Sequence, residues 1–350
     1  MLNDRASSQQ NRAARALGLA ALLLIVAGHP AAARQHHHPH QQRHDRQQAL
    51  SADAVNRAYL AGPVSSDRSS AVLLKAQVLL DRAGFSPGAI DARRGDNFSK
   101  AVAAFQASAG LAPTGTLDPD TWAKLTQNAS VPALVDYTIG EGDVKGPFTP
   151  HLPGRLEEKA KLDHLAYTGP TELLAEKFHV DQALLKALNP DRRFEQAGTV
   201  ISVPNVADAR PEGTVSRIEV DKAHKAVRAL NDDGGLVAFY PASIGSQEKP
   251  APSGTFRVRQ VVENPTYHYD PKFHFKGVKS RERFTIAAGP NNPVGSVWID
   301  LSKPSYGIHG TPDPGKIGKT QSHGCIRLTN WDARDLARRV RKGVRVSFLD

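Results

Sequence analysis

The chain is nearly without sulfur: its 350 residues hold one cysteine and one methionine. A single cysteine excludes an internal disulfide, so no covalent staple underlies the fold. It also excludes a zinc finger or a Cys-rich cluster, because a structural zinc centre takes about four ligands. Aromatic residues are sparse, at 6%, and no basic stripe is interleaved with them as a base-stacking surface requires. A nucleic-acid partner is therefore not expected, despite a formal charge of +10. That charge favours anionic surroundings such as headgroups or acidic wall polymers. Long apolar runs are scarce too. The one such run, residues 16–28, is shorter than the roughly 20 residues of a membrane span, and no second one follows.

What is present begins with the N-terminus. Arg12 and Arg15 precede "ALGLAALLLIVAG", and Ala31 and Ala33 then stand in an A-x-A arrangement. A basic region, a short apolar region and a small-residue cleavage site read as a secretory signal peptide over 1–33, with an uncleaved anchor as the alternative. No cysteine follows the apolar run, which argues against a lipoprotein anchor. Export places the protein in the periplasm or cell wall, with no stable membrane span after cleavage. Residues 34–66 begin with "RQHHHPHQQRHDRQQAL", a stretch too polar to bury a core. They are expected to form a disordered linker. Metal binding by His36, His37, His38 and His40 is the competing reading, but no rigid frame fixes these ligands.

Three modules are expected beyond the linker, giving a multidomain α+β fold. In residues 67–128, Leu73, Leu74, Val78 and Leu79 recur at helical spacing. A second helix carries Val102, Phe105 and Ala109, with Gly110 at its end, and a third carries Trp122 and Leu125 behind Asp118 or Asp120 as N-cap. "GFSPGAIDARRGDNFSKAVAAFQASAGLAPTGTLDPDTW" resembles the three-helix peptidoglycan-binding domain. The usual G-x-x-D-G departs here to Gly88-Ala89-Ile90-Asp91-Ala92. Residues 134–206 open like a strand and turn. They continue as two short helices, an Asn189-Pro190 stop and a strand after Gly198. This α/β segment resembles a LysM module with an insertion at about 147–167; LysM modules bind N-acetylglucosamine chains. Residues 212–350 change to period-two alternation, with a hairpin signal at Asp232-Asp233-Gly234-Gly235 and one amphipathic helix in "TNWDARDLARRVRKG". Thr329 or Asn330 can cap that helix and Gly343 can end it. A mainly-β, sandwich-like domain is expected.

The lone thiol lies in this last module, in "QSHGCIRL". A free cysteine in an exported chain is either inert filler or a reactive group. The polar, glycine-flanked setting of Cys325 is a poor place for apolar packing. A free thiol has a pKa near 8.5, so nucleophilic work needs a base or a nearby cation. His309, His323 and Arg327 are close in sequence. The Pro312, Pro314 and Gly315 loop lets the chain turn back so that His309 and Cys325 can be neighbours. Gly324 permits close backbone approach, which suits an oxyanion hole of main-chain N–H groups worth about 3 kcal/mol per donor. Cys325, His309 and His323 offer zinc three ligands at most, and no metal or other cofactor is expected.

"YGIHGTPDPGKIGKTQSHGCIRLTNWD" resembles the signature of the L,D-transpeptidases with a YkuD-type catalytic domain, and "PSGTF" and "GPNNPVGSVWIDLS" match it as well. The resemblance implies that Cys325 is the nucleophile and His309 the general base. It places Gly324, His323 and Ser322 as oxyanion and supporting residues, and Arg327, Tyr306 and Gly310 as substrate-binding residues. Residues 261–281 are expected to form a rim loop. The implied reaction forms a thioester with a peptidoglycan tetrapeptide stem, releases D-Ala and passes the acyl group to an amine. The alternatives are a Cys/His wall peptidase, an L,D-carboxypeptidase that uses water, and a non-catalytic wall-binding protein. The expected partner is peptidoglycan, through both stem peptide and glycan.

Overall fold

The computed structural model describes residues 50–62, 70–127, 129–206, 213–246, 249–273, 278–320 and 324–350. The expected signal peptide lies outside the described residues. Part of the expected linker does not hold as disordered chain. Helix α1 (Ala52–Asn56) is N-capped by Ser51, and its Val55 is fully buried. The Asn56 amide closes the contact, exchanging hydrogen bonds of 2.9 Å each with both main-chain groups of Leu134. Lys75 Nζ adds hydrogen bonds to the Asn56 and Ala58 carbonyls at 2.8 and 2.9 Å, and Leu50 and Ala52 pack against the same core, so several contacts order this short piece.

The next helices are α2 (Ala71–Arg82), α3 (Asp96–Ser108) and α4 (Pro119–Thr126). The apolar positions of α2 are buried on two sides. Leu73, Leu79 and Leu80 pack with Phe98, Val102 and Leu125 of the other helices. Leu74 and Val78 face the second module instead. Asp118 is the N-cap of α4, accepting from the Thr121 N–H at 2.8 Å, and Pro119 occupies the first turn, where its missing N–H costs nothing. Ala92, which replaces the glycine of the G-x-x-D-G pattern, sits at φ +60. A glycine would hold that left-handed conformation without strain.

The second module sets β1 (Leu134–Thr138) antiparallel to β2 (Val200–Pro204), with α5 (Glu141–Lys145), α6 (Leu156–Lys159), α7 (Pro170–Lys177) and α8 (Gln182–Leu188) between them. Asn189 ends α8 and locks it to β2. Its amide donates to the Ser202 carbonyl at 2.8 Å and accepts from the Ser202 N–H at 2.6 Å.

Among the described residues the third module has eleven strands and one α-helix. In chain order these are β3 (Arg217–Asp221), β4 (Ala226–Leu230), β5 (Leu236–Pro241), β6 (Ser243–Ile244), β7 (Gly254–Glu263), β8 (Tyr267–Tyr269), β9 (Phe284–Ile286), β10 (Val297–Leu301), β11 (Gly307–His309), β12 (Ile326–Arg327), α9 (Asn330–Arg339) and β13 (Arg345–Leu349). Nine strands form one sheet in the order β5-β4-β3-β13-β7-β10-β11-β12-β6. Strand β7 joins its two halves, pairing with β13 through Gly254–Arg257 and with β10 from Val258 onward. Both halves feed one core, which includes Ile218, Val220, Tyr240, Val258, Ile299, Ile308, Ile326 and Leu336. Thr329 caps α9, accepting from the Asp332 N–H at 3.1 Å. Gly343 does not end that helix, which stops at Arg339. At φ +95, Gly343 forms the turn into β13 and donates to the Val258 carbonyl.

The modules are packed directly on one another. The Ser86 N–H donates to the Phe239 carbonyl, and the Ser86 hydroxyl donates to the buried Asp332 carboxylate at 2.9 Å. His179 stacks on Trp331 with ring centroids 5.2 Å apart, and its Nδ1 contacts Asp81 at 3.1 Å. Residues of all three modules meet in these few contacts.

Candidate active site

The parallel pair β11–β12 decides which side chains meet. Its register aligns Ile308 with Ile326 and His309 with Arg327. Side chains alternate along strands, so the two isoleucines, both fully buried, fill the core while His309 and Arg327 share the opposite face. Cys325 lies two residues before Arg327 and returns to that face, beside Gly307. The Gly307 N–H hydrogen-bonds to the sulfur, and Sγ lies 3.7 Å from the Ser305 carbonyl oxygen. His309, Cys325 and Arg327 all line one cavity of about 1350 Å³.

The imidazole of His309 is 4% exposed. Its Nδ1–H donates to the Gly310 carbonyl at 2.7 Å, which leaves Nε2 as the proton acceptor. Trp298, paired with His309 across β10–β11, lies over the ring with centroids 5.5 Å apart and planes 21° from parallel. Burial lowers the His309 pKa to about 3, the Arg327 charge adds to that, and the Gly310 contact opposes both. Burial pushes the Cys325 thiol up, while the Gly307 N–H and the charges of Arg327 and Lys249 pull it back. The resting pair is therefore a neutral thiol and a neutral imidazole.

Residues 216–347 match the family model of the L,D-transpeptidase catalytic domain, and residues 70–125 match that of a peptidoglycan binding domain. YkuD of Bacillus licheniformis, named as an L,D-transpeptidase, is 34% identical over 169 residues, which are 48% of this chain and 85% of its own length. YkuD of Bacillus subtilis, similarly named, is 31% identical over 176 residues, 50% of this chain and 90% of its own length. The chain belongs to the L,D-transpeptidase family. Among solved structures, L,D-transpeptidase 3 from Mycobacterium tuberculosis is 16% identical with a TM-score of 0.32, covering 46% of this chain and 78% of its own. A transpeptidase domain and a peptidoglycan binding domain in one chain imply peptidoglycan as substrate.

The expected site residues of this L,D-transpeptidase fall into three groups. Cys325, His309, Arg327 and Tyr306 come together on the cavity wall. Gly324 and Gly310 can offer only their backbones. Gly324 has φ +99, and a Cβ there would meet Tyr306 Cε1 at 3.2 Å. Gly310 is not on the wall. Its carbonyl holds the imidazole, and a Cβ would fall 2.2 Å from Asn330 Oδ1, so its part is to position His309. Ser322 and His323 lie outside the described residues. Arg327 is half-buried, burial lowers its pKa, and its Nε has no hydrogen-bond partner among the described residues.

The expected rim loop of 261–281 contains the end of β7 and all of β8. β8 pairs antiparallel with β9, and Tyr267, His268 and Lys272 reach the cavity. Burial raises the Tyr267 phenol to about 12. Two contributors to the transpeptidase site were not legible as such in the sequence. Trp298 had a signal in "SVWIDLS", where Val297, Ile299 and Leu301 are buried and Trp298 must face the other way. Asn330 had none. It is fully buried, accepts from the Ser296 N–H at 3.0 Å and donates to the Pro290 carbonyl and Glu176 Oε1, both at 3.2 Å. Among the described residues no cluster of His, Cys, Asp or Glu is placed to hold a metal ion, and no helix is long and apolar enough to cross a membrane.

Proposed function

We propose that this transpeptidase works by a two-step acyl transfer on a peptidoglycan tetrapeptide stem, with Cys325 as nucleophile and His309 as general base. The observation that carries this reading is that His309 on β11 and Cys325, immediately before β12, line one cavity, with Nδ1 tied to Gly310 and Nε2 left to take a proton. As the sulfur attacks the carbonyl carbon of the third stem residue, its proton passes to His309. The bond to D-Ala breaks, His309 protonates the departing amine, and a thioester remains. An acceptor amine then attacks, giving its proton to His309. The carbon–sulfur bond breaks and the thiol recovers its proton. Main-chain N–H groups at Gly324 and Cys325 would hold the oxyanion, and the guanidinium of Arg327 supplies positive charge beside it.

Low imidazole basicity suits this cycle in one respect. His309 stays unprotonated through the whole neutral range, so it is always ready to accept. The imidazolium that forms is then a strong acid toward the leaving amine. The positive charges of Arg327 and Lys249 offset part of what burial costs the thiolate. Export, residence in the periplasm or wall, and glycan contact through the LysM-like segment complete the proposal. Export rests on the basic-apolar-small N-terminal pattern, wall residence is supported by the peptidoglycan binding match at 70–125, and the LysM-like segment rests on its own sequence resemblance.

Purified enzyme incubated with tetrapeptide stems and a diamino acceptor should release D-Ala and yield a new amide, both seen by mass spectrometry. Cys325→Ala should abolish both, along with the thioester mass shift. Free shortened stem with no amide product would instead make the enzyme a carboxypeptidase. Full D-Ala release by Cys325→Ala would end the covalent reading.

A further inference from the structure

One wall of the cavity around Cys325 is not built by the catalytic domain. Gly154 and Arg155, the latter the N-cap of α6, and Leu156 and Lys159 on α6 reach it from inside the inserted segment of the second module. The segment is fastened to the rim by main-chain contacts. Glu157 Oε1 accepts from the N–H groups of Lys279 and Ser280, at 2.8 and 3.2 Å. The Leu165 N–H donates to the Ala288 carbonyl at 3.0 Å, and the Leu165 carbonyl accepts from the Asn291 N–H at 2.9 Å. The Asn291 side chain, 2% exposed, donates to the Ala166 carbonyl at 2.8 Å. The backbones touch at Gly289, where a Cβ would fall 2.2 Å from the Leu165 oxygen. These contacts set α6 as a fixed part of the cavity.

The cavity's charge is one-sided. Among the described residues Arg155, Lys159, Lys249, Lys272 and Arg327 line it, against one carboxylate, Asp313, which pairs with Lys316 at 3.3 Å and also attracts Lys159; Lys272 pairs with Asp270 at 3.4 Å. Lys159 makes no ion pair among the described residues, and it is partly withdrawn from water. Arg155 lies 3.6 Å from Glu157 Oε1, beyond hydrogen-bond distance, and that oxygen already accepts two main-chain N–H bonds. Two cations side by side on a concave wall, as Arg155 and Lys159 are, draw an anionic ligand and fix its orientation.

We propose that Arg155 and Lys159 form a carboxylate-binding subsite, through which the second module orients a wall peptide against Cys325. The inference rests on the transpeptidase reading of the cavity and adds a specificity element from outside the catalytic domain. The carboxylate can belong to the donor, whose D-Ala carries the chain end, or to the acceptor, beside its amine. The positions on α6 do not act on the reacting bond, so their contribution is to binding.

The test uses the full chain, with Arg155→Ala/Lys159→Ala compared against wild type in D-Ala release and amide formation. Absence of both activities in wild type would sink the transpeptidase reading and leaves the subsite to be judged by binding alone. Binding is measured by calorimetry of tetrapeptide and of acceptor to Cys325→Ala, with and without the two α6 substitutions. For the active enzyme, KM for one partner should rise about tenfold or more in the double variant, with kcat within about twofold. Amidating the carboxylate of that partner should remove the difference between variant and wild type, and which amidation does so assigns the subsite to donor or acceptor. The conservative Arg155→Lys/Lys159→Arg variant should restore most of the affinity. Unchanged KM and unchanged affinity in the alanine variant would overturn the proposal, as would a loss that persists when both partners are amidated.

Discussion

Replacing Glu176 by Gln should make the protein more stable at pH 8 and leave it nearly unchanged at pH 4. Glu176 sits on α7, 4% exposed, against the helix that follows the nucleophile strand. Asn330 donates to one carboxyl oxygen at 3.2 Å. The other lies 3.8 Å from Arg334 and has no hydrogen-bond partner among the described residues. Burial raises the carboxyl pKa from 4.5 to about 7; Arg334 and Asn330 pull it down, and Glu172 adds a push upward.

The sign follows from proton counting. Between 4.5 and about 7 the folded protein keeps a proton that the unfolded chain gives up. Stability is therefore full below 4.5 and falls as pH rises to about 7. The gap corresponds to about 3 kcal/mol at the alkaline end. Gln has the same shape and cannot ionise, so the variant lacks this decline. The Arg334 attraction is already contained in that value, so the gain is about 3 kcal/mol at pH 8. His309 works in the opposite direction. Its pKa falls to about 3 on folding, so its contribution is present above 6.5 and is lost as pH falls toward 3. That contribution is common to both proteins and cancels in the comparison. Urea unfolding at pH 4, 6 and 8, followed by the fluorescence of the buried Trp331, reads the difference. An equal effect at pH 4 and pH 8, or a Gln variant less stable at pH 8, would refute the reasoning.

Arg327→Gln removes a charge that lowers the thiol pKa and also lowers that of His309. The alkylation rate of Cys325 by iodoacetamide should fall several-fold at pH 8. Its pH midpoint, already above the free-thiol range near 8.5 in wild type, should move further up. Gly307→Ala places a Cβ 2.5 Å from the Trp298 ring. The ring must leave His309, so kcat should drop about tenfold or more. Stability should fall by about 1–3 kcal/mol, checked by turnover and urea titration on the same sample.

The parts of the fold that the sequence announced are those with local causes. Period-two alternation placed β3, β4, β10 and β13, and the cap pairs Asp118 or Asp120 and Thr329 or Asn330 announced their helices, the structure using Asp118 and Thr329. The site was legible because "IHG" and "HGCIR" carry their geometry in short runs, where one isoleucine in each fixes which way its neighbours point. Long-range arrangement had no such marker. Nothing in "AVLLKAQVLL" says that Leu73 and Leu74 enter different cores, since adjacent helical residues diverge only when a partner stands on each side. The α6 insertion reads as a polar excursion in a binding module, because its value lies in contacts with residues more than 100 positions away. Glu176 reads as one more acidic residue on a helix face, and only the packing of α9 over it makes it a buried acid.

The Ser86–Asp332 bond and the His179–Trp331 stack have a mechanical consequence. A grip carried on a slack leash lets its enzyme sweep a sphere and act wherever a suitable peptide drifts past. Here no leash separates the first module from the catalytic sheet. Whatever strand of polymer that module clasps, the sulfur stands at one set distance and angle from it. The fold thus has the form of a caliper, with holding module and thiol as its two fixed points.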